Sequence, residues 1–179
     1  KSYFNSIQLT IQKENLSMTK YLELAMDVAW EAGKIQKDAL GKVIKIGYKG
    51  NKANVVTEID HKCEIPIVKQ IKKAFPNHAF FAEEGTDEPS KTPYKWIIDP
   101  LDGTVNYSHG LPMFAVSIGL EYKRKIIMGA GYGAMLDEMF YAVRGKGAYL
   151  NGEKIHVSKT NSLKTALVCT GFSYDVQKN

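Results

Sequence analysis

The residues of this chain that could do chemistry are concentrated in the run Trp96–Thr104, Trp-Ile-Ile-Asp-Pro-Leu-Asp-Gly-Thr. Its apolar start predicts a strand, and open α/β sheets place their ligand sites at strand ends. Asp99 and Asp102 lie three residues apart, and two carboxylates directed into one pocket repel each other unless a cation lies between them. Carboxylate oxygens are ligands that suit Mg²⁺ and Mn²⁺. The run therefore predicts a metal-dependent site that handles phosphate.

The other residues of the run fit the same site. Pro100 cannot donate a ladder hydrogen bond, so we expect the strand to end there. Gly103 allows the backbone to turn closely around a bound group, and Thr104 places a hydroxyl beside it. Because Asp, Pro and Gly are also the usual turn residues, the run by itself also fits a simple tight turn.

Two further acidic positions lie at the ends of predicted elements. Asp60 precedes a predicted helix, and Glu83-Glu84 follow a predicted short strand. Taken singly, Asp60 is explained as a helix cap and the glutamates as a solvated loop. Solubility alone is a poor explanation for carboxylates that recur at element ends in a lysine-rich chain, so the combination favours a shared site.

Two amphipathic patterns predict the helices that would support these carboxylates. Apolar residues recur at helical spacing over Thr19–Leu40, with Gly41 placed to end that helix. They recur again over His61–Phe75, with Asp60 placed to cap the helix. Pro66 lies inside the second pattern, and we expect it to perturb the first turns of that helix.

Short alternating or β-branched segments predict the strands. They are Val43–Tyr48, Ala79–Ala82, Lys95–Ile98, Phe114–Glu121, Ile126–Ala134, Glu138–Val143, Ala148–Leu150 and Lys154–Val157. Asn151-Gly152 between the last two favours a type I′ hairpin turn. Helices followed by an antiparallel run of strands predict a layered α+β fold.

Composition excludes several classes of protein. With 44% hydrophobic and 24% charged residues, the 179-residue chain is typical of a globular protein rather than a disordered one. No apolar stretch reaches the roughly 20 residues of a membrane helix. The net charge of +5 comes without a nucleic-acid recognition motif, which argues against a nucleic-acid partner. Cys63 and Cys169 lack metal spacing and predict buried or partly buried reduced thiols, hence a cytoplasmic protein.

The first 17 residues have no assigned role. They fit the remnant of a tag, part of a targeting leader or a native extension, so organellar import stays open. Residues 18–179 carry the globular pattern.

Four segments resemble the inositol monophosphatase family in order and spacing. They are Lys49 with Asp60, Ala82-Glu83-Glu84, the run from Trp96 to Tyr107, and Gly145–Tyr149 with Asn151-Gly152. That family belongs to a superfamily of metal-dependent, lithium-sensitive phosphatases. The resemblance covers roughly residues 19–175 and implies the layered α-β-α-β sugar-phosphatase-like fold, represented here mainly by its N-terminal α+β lobe.

The resemblance implies two or three Mg²⁺ ions, with Mn²⁺ as a possible substitute. Glu83, Asp99 and the carbonyl of Leu101 would bind one ion. Asp99 would also bridge to a second ion, which Asp102 shares, and Glu83 would reach a third. These assignments agree with the chemistry expected of the aspartate pair.

The resemblance also implies catalytic and supporting roles. Thr104, supported by Asp60, would orient and deprotonate the attacking water next to the ion that Glu83 binds. The backbone amides of Gly103 and Thr104, together with Asp102, would contact the phosphate. Glu84 would support the ligands from behind, and Lys49 would come over from a loop to help position metal or water. A last metal ligand, an aspartate in a Trp-Asp pair, has no counterpart in this sequence, nor does the family's second α/β lobe.

The activity implied is Mg²⁺-dependent hydrolysis of myo-inositol monophosphate to inositol and phosphate. Two alternatives remain. One is hydrolysis of a sugar bisphosphate or a nucleotide 3′-phosphate by an enzyme of the same superfamily. The other is a regulatory binding protein that keeps the fold without the chemistry. The resemblance further implies a homodimer and inhibition by Li⁺.

Overall fold

The computed structural model describes residues 16–42, 46–48, 55–90 and 92–170. The predicted loop at 49–54, with Lys49, lies outside the described residues, as do the first 15 residues and part of the strand predicted at 43–48. The statements below concern the described residues alone.

Three helices are present: α1 (Leu16–Ala39), α2 (Glu58–Ala74) and the short α3 (Thr104–Ser108). The first two confirm the predicted helices with shifted ends. Asp60 is not the cap of α2, because Thr57 occupies that position and Asp60 lies three residues later in a reciprocal capping box. Pro66 lies within α2, which continues through it to Ala74.

The described residues form ten strands, numbered in chain order, which are arranged in two sheets. Their bounds are β1 Ile46–Tyr48, β2 Val55–Thr57, β3 Ala79–Ala82, β4 Asp87–Glu88, β5 Tyr94–Asp102, β6 Ala115–Tyr122, β7 Lys125–Gly133, β8 Glu138–Val143, β9 Gly147–Leu150 and β10 Glu153–Ile155. β1 and β2 form a small hairpin, and the other eight form one sheet in the order β10-β9-β8-β7-β6-β5-β3-β4. Only β3 and β5 pair in parallel within that sheet. The α+β fold is thus confirmed.

Strand β5 does not end at Pro100, as the sequence predicted. It continues to Asp102, because the proline lies inside a β-bulge. Asp99 faces Ser117 and Asp102 faces Ala115, so β5 carries one residue more than β6 over this interval. A bulge interrupts the ladder and therefore tolerates a residue that cannot donate.

The core lies between the sheet and the two long helices. Trp96, Ile118 and Leu120 of the central strands are fully buried, together with Ala25 and Ile67 of α1 and α2. The opposite face of the sheet borders an open cavity of about 820 Å³. Its half-exposed apolar residues are Phe81, Ile126, Phe140 and Ile155.

The two cysteines differ in environment. Cys63 is buried, and this burial raises the pKa of its thiol to about 12, so the thiol stays protonated and unreactive. Cys169 is exposed, so the prediction of a buried or partly buried thiol is wrong for this residue. It lies in the segment 156–170, which forms neither helix nor strand.

No described helix has both the length and the apolar character needed to cross a bilayer.

Candidate metal centre

The parallel pairing of β3 and β5 brings two predicted ligands to one edge of the sheet. Ala82 lies opposite Ile98, and the Glu83 amide donates to the Ile98 carbonyl at 3.1 Å. Glu83, directly after β3, and Asp99, within β5, therefore lie side by side at the same level of the sheet. Adjacent carboxyl ends of parallel strands are where such sheets bind ligands.

The bulge in β5 sets the directions of the next ligands. The Leu101 amide donates to Asp99 Oδ1 at 3.1 Å, which fixes the aspartate against its own backbone. The Leu101 side chain is buried, while its carbonyl oxygen accepts a hydrogen bond from Thr104. Asp102, one residue further, is exposed at the end of the strand.

Negative charge accumulates at this edge. The pKa of Asp99 is raised to about 7, first by burial and then by the charges of Glu83 and Asp102. A hydrogen bond between the Asp99 and Glu83 side chains raises it further, and the Leu101 amide lowers it in part. The three carboxylates thus act on one another, which is the electrostatic situation that a divalent cation relieves.

Asp60 belongs to a second part of the site, in which its carboxylate accepts three hydrogen bonds. Its buried carboxylate accepts from the Thr57 amide at 2.8 Å and from the Thr57 hydroxyl at 2.6 Å, both through Oδ2. The other oxygen, Oδ1, accepts from Thr104 Oγ1 at 3.0 Å. The first turn of a helix favours a negative charge, so the N-terminus of α2 stabilises this carboxylate.

The Thr104 hydroxyl lies between two acceptors. Its Oγ1 is 3.0 Å from Asp60 Oδ1 and 3.0 Å from the Leu101 carbonyl oxygen. A hydroxyl has one hydrogen to donate and lone pairs to accept with. Since both protein neighbours can only accept, Thr104 is left able to accept a hydrogen bond from a further donor such as water.

Sequence reasoning missed Glu64 of α2, which supports the turn after β3. Glu64 is buried, and its carboxylate accepts from the Glu84 amide at 2.8 Å, the Thr86 amide at 3.3 Å and the Thr86 hydroxyl at 2.7 Å. These bonds hold the turn that carries Glu83. The signal was present, because Glu64, Ile67 and Ile71 share the buried face of α2, where an unpaired charge is costly.

The described residues divide into two linked groups. Electrostatics joins Glu83, Asp99 and Asp102, while hydrogen bonds join Asp60, Thr104 and the Leu101 carbonyl. Within the described part of the chain, no three His, Cys, Asp or Glu side chains converge into a ready-made metal cage. The donor set is nevertheless entirely oxygen and mostly anionic, which fits Mg²⁺ or Mn²⁺ rather than a softer metal.

The chain is similar to known proteins over most of its length. The pattern that defines the inositol monophosphatase family matches residues 17–179. Inositol monophosphatase 2 of Solanum lycopersicum is 40% identical over 163 residues, which cover 86% of this chain and 59% of the relative. A protein of Aquifex aeolicus (strain VF5) named fructose-1,6-bisphosphatase/inositol-1-monophosphatase is 44% identical over 161 residues, covering 89% of this chain and 60% of the relative.

A solved structure agrees with the fold. The inositol monophosphatase from Anabaena (Nostoc) sp. PCC 7120 superposes with a TM-score of 0.77 at 34% identity, over 90% of this chain and 59% of the other. The chain therefore spans about 60% of the length of these relatives.

Proposed function

Because the chain belongs to the inositol monophosphatase family, we propose that the protein is a Mg²⁺-dependent phosphomonoesterase that hydrolyses myo-inositol monophosphate to inositol and phosphate. The observation that supports this most directly is the Thr104 hydroxyl, which is hydrogen-bonded to the buried Asp60 carboxylate beside the Asp99 cluster. A hydroxyl backed by a carboxylate is an arrangement that can accept a proton from water.

The proposed metal ligands are the oxygens described above. Glu83, Asp99 and the Leu101 carbonyl would bind one ion. Asp99 and Asp102 would supply some of the ligands of a second. When bound, Mg²⁺ would lower the pKa of water and offset the charge of the phosphate and of the leaving alkoxide. The second ion would take its remaining ligands from outside the described residues.

Thr104 and Asp60 would move the proton. The attacking water donates a hydrogen bond to Thr104 Oγ1, and the threonine in turn donates its own hydrogen to Asp60 Oδ1, 3.0 Å away. As the water oxygen bonds to phosphorus and the ester P–O bond breaks, the water proton passes to Thr104 and the threonine proton passes to Asp60. The departing inositol alkoxide then takes a proton from solvent water. The Thr57 amide and hydroxyl hold the Asp60 carboxylate in this orientation.

Gly103 and Thr104 would contact the phosphate through their backbone amides. Gly103 has φ +91, so it turns the chain sharply from β5 into α3. Amides at the start of a helix lack partners within it and can donate to an anion. Asp102 lies at the end of the strand. The metal ion that it would share with Asp99 would hold it close to the same phosphate.

A sugar bisphosphate is the second candidate substrate. It is favoured by the name of the Aquifex aeolicus relative, which combines fructose-1,6-bisphosphatase with inositol-1-monophosphatase. Both reactions cleave a phosphate monoester, so the metal ligands and the Thr104–Asp60 pair serve either one. Groups that contact the sugar or the inositol ring would decide between them.

Purified protein tested on a panel of esters separates these possibilities. We expect myo-inositol 1-phosphate to be hydrolysed faster than fructose 1,6-bisphosphate or a nucleotide 3′-phosphate, with Mg²⁺ required. Asp102→Asn should abolish turnover with the fold intact, and Asp38→Asn, an exposed carboxylate of α1, should not. Faster turnover of another ester would overturn the substrate assignment. Absence of both Mg²⁺ binding and ester hydrolysis would favour the regulatory binding protein.

The same proposal extends to inhibition and assembly. We expect Li⁺ to inhibit the enzyme and the active protein to be a homodimer in the cytoplasm. Activity titrated with LiCl and light scattering of the purified protein measure the first two.

A further inference from the structure

We infer that Gln36 is a positioning residue for the proposed metal site, holding the β5 bulge and α3 in place from the buried end of α1. This inference rests on the proposed function for its effect on metal binding. It concerns a residue for which the sequence predicted nothing beyond a place in a helix.

The side chain of Gln36 bridges the bulge. Gln36 is completely buried, and its Nε2 donates to the Pro100 carbonyl at 2.9 Å and approaches the Ala115 carbonyl at 3.5 Å. Pro100 is the residue of the bulge that has no amide to donate, and Ala115 is the β6 residue at which regular pairing resumes. The two hydrogens of one amide group thus reach both strands where their own ladder is interrupted.

The main chain of Gln36 holds the other side of the site. Its carbonyl oxygen accepts the helical bond from Leu40 at 3.1 Å and a second bond from the Tyr107 hydroxyl at 2.7 Å. Burial raises the pKa of Tyr107 to about 12, so this hydroxyl stays protonated and donates. Tyr107 belongs to α3, three residues after Thr104. Gln36 therefore contacts the chain on both sides of Leu101–Thr104.

The cost of Gln36 to the core makes a purely structural role a poor explanation. Its Oε1 is buried and has no hydrogen-bond partner among the described residues. A buried polar atom without a partner is destabilising, and an aliphatic side chain of similar length would remove that atom, at the expense of the bond to the Pro100 carbonyl. Fixing the bulge that carries Asp99 and Asp102 gives the amide a function that such a side chain lacks.

The test is Gln36→Met in the complete protein, with Gln70→Met as the matched control. Gln70 lies on α2, and its amide bonds to the surface residue Glu31. In metal-free Gln36→Met protein, we expect hydrogen exchange at residues 101–103 to quicken several-fold. The Mg²⁺ concentration that half-saturates the thermal shift should rise about tenfold. The melting temperature without metal should change little, because the variant removes the unpartnered Oε1 together with the bond to the Pro100 carbonyl. Gln70→Met should alter neither exchange nor the Mg²⁺ requirement.

Unchanged exchange and an unchanged Mg²⁺ requirement in Gln36→Met would overturn the inference. Should that variant fail to fold, Tyr107→Phe decides, since it removes only the hydroxyl bond to the Gln36 carbonyl. Faster exchange at 101–103 in Tyr107→Phe supports the positioning role, and unchanged exchange contradicts it. A wild-type protein without Mg²⁺-dependent turnover would instead overturn the proposed function, while metal-free exchange would still decide whether Gln36 holds the bulge.

Discussion

Thr104 has a single hydroxyl hydrogen and two acceptors at equal distance, Asp60 Oδ1 and the Leu101 carbonyl. The carboxylate is the stronger acceptor because it is charged. Its own position is fixed by Thr57, so the chemistry at Thr104 depends on a buried capping box that also starts α2. A local folding signal and a proposed proton acceptor are thus the same residue, Asp60.

Replacing Thr104 with Val tests the proton path. The variant keeps the shape of the side chain and removes the hydroxyl, so we expect kcat to fall by about 10²- to 10⁴-fold. The free energy of unfolding should fall by only about 1.5–3 kcal/mol, because the variant loses one hydrogen bond to the buried Asp60 carboxylate. Thr104→Ser retains the hydroxyl and should keep most of the activity. Steady-state kinetics with a phosphate-release assay measure both, and a fully active Thr104→Val would remove this residue from the mechanism.

The raised pKa of Asp99 predicts how stability depends on pH in metal-free protein. Its pKa is about 7 in the folded state against 3.8 for an ordinary aspartate, so the folded protein binds the proton more tightly. This contribution to stability is complete below pH 3.8 and is lost as the pH rises through 7. Between pH 5 and pH 8, wild-type protein in EDTA should therefore lose more stability than Asp99→Asn.

Thermal melts of both proteins at the two pH values, with and without Mg²⁺, measure this difference. Mg²⁺ should restore the wild-type protein at pH 8 by offsetting the carboxylate charges and should do less for Asp99→Asn. Parallel pH profiles for the two metal-free proteins would contradict the assignment of the shift to Asp99.

Among the elements, the junction from β5 to α3 is the most constrained. Gly103 has φ +91, and a Cβ added there would lie 2.8 Å from the Met113 carbonyl oxygen. The bulge before it and the helix after it therefore meet at a position where only glycine fits without movement. The phosphate-binding role proposed for this backbone depends on that close approach.

Gly103→Ala should consequently destabilise the protein by about 1–3 kcal/mol and raise KM for the substrate. Gly110→Ala is the matched control, because Gly110 also has a positive φ, +73, and no atom lies within 4 Å of an added Cβ. Urea unfolding of the two variants separates backbone strain from steric contact. Equal destabilisation, with KM unchanged in both, would show that the contact with Met113 has no part in the site.

At the scale of the whole molecule, an aromatic cluster joins the helical layer to the sheet. His78 stacks between Phe75 and Tyr94, with ring centroids 5.0 Å and 4.7 Å away, and its Nδ1 accepts from Trp96 Nε1 at 3.0 Å. Tyr21 of α1 packs against the same rings. A histidine that accepts at Nδ1 must be neutral there, and burial lowers its pKa.

The lowered pKa of His78 predicts that the fold loses stability in mild acid. The unfolded chain binds the proton more readily than the folded one, so the stability present above about pH 6.5 falls as the pH drops through the folded-state pKa. His78→Asn places an acceptor near Nδ1 without a titrating group. Its stability should change less than that of the wild type between pH 7.5 and pH 5.5, although it loses the stacking. Asp99 contributes equally to both proteins and cancels.

Urea unfolding at the two pH values measures this difference, with His156→Asn, an exposed histidine, as the control. The control should follow the wild-type pH dependence. If His78→Asn followed it as well, the acid sensitivity would belong to other groups.

Local patterns in the sequence predicted the elements and most of the proposed site. The strand Glu138–Val143 was predicted at its observed bounds, and the Asn151-Gly152 turn has the two positive φ angles, 49° and 94°, of the predicted type I′ hairpin. The proposed oxygen ligands between Asp99 and Thr104 could be identified from the sequence. The apolar strand and the Asp, Gly and Thr residues after it lie within a few consecutive positions. The assignment of roles to these residues remains a prediction.

Tertiary structure alone decided how those residues are held. Whether Pro100 ends β5 or lies in a bulge depends on β6 and on Gln36, which is 64 positions earlier in the chain. The support of the Glu83 turn by Glu64, and the contact of Asp60 with Thr104, also join distant segments. Sequence periodicity reports which face of an element is buried. It does not report which partner a buried polar group finds, because that partner is fixed only when the helices pack on the sheet.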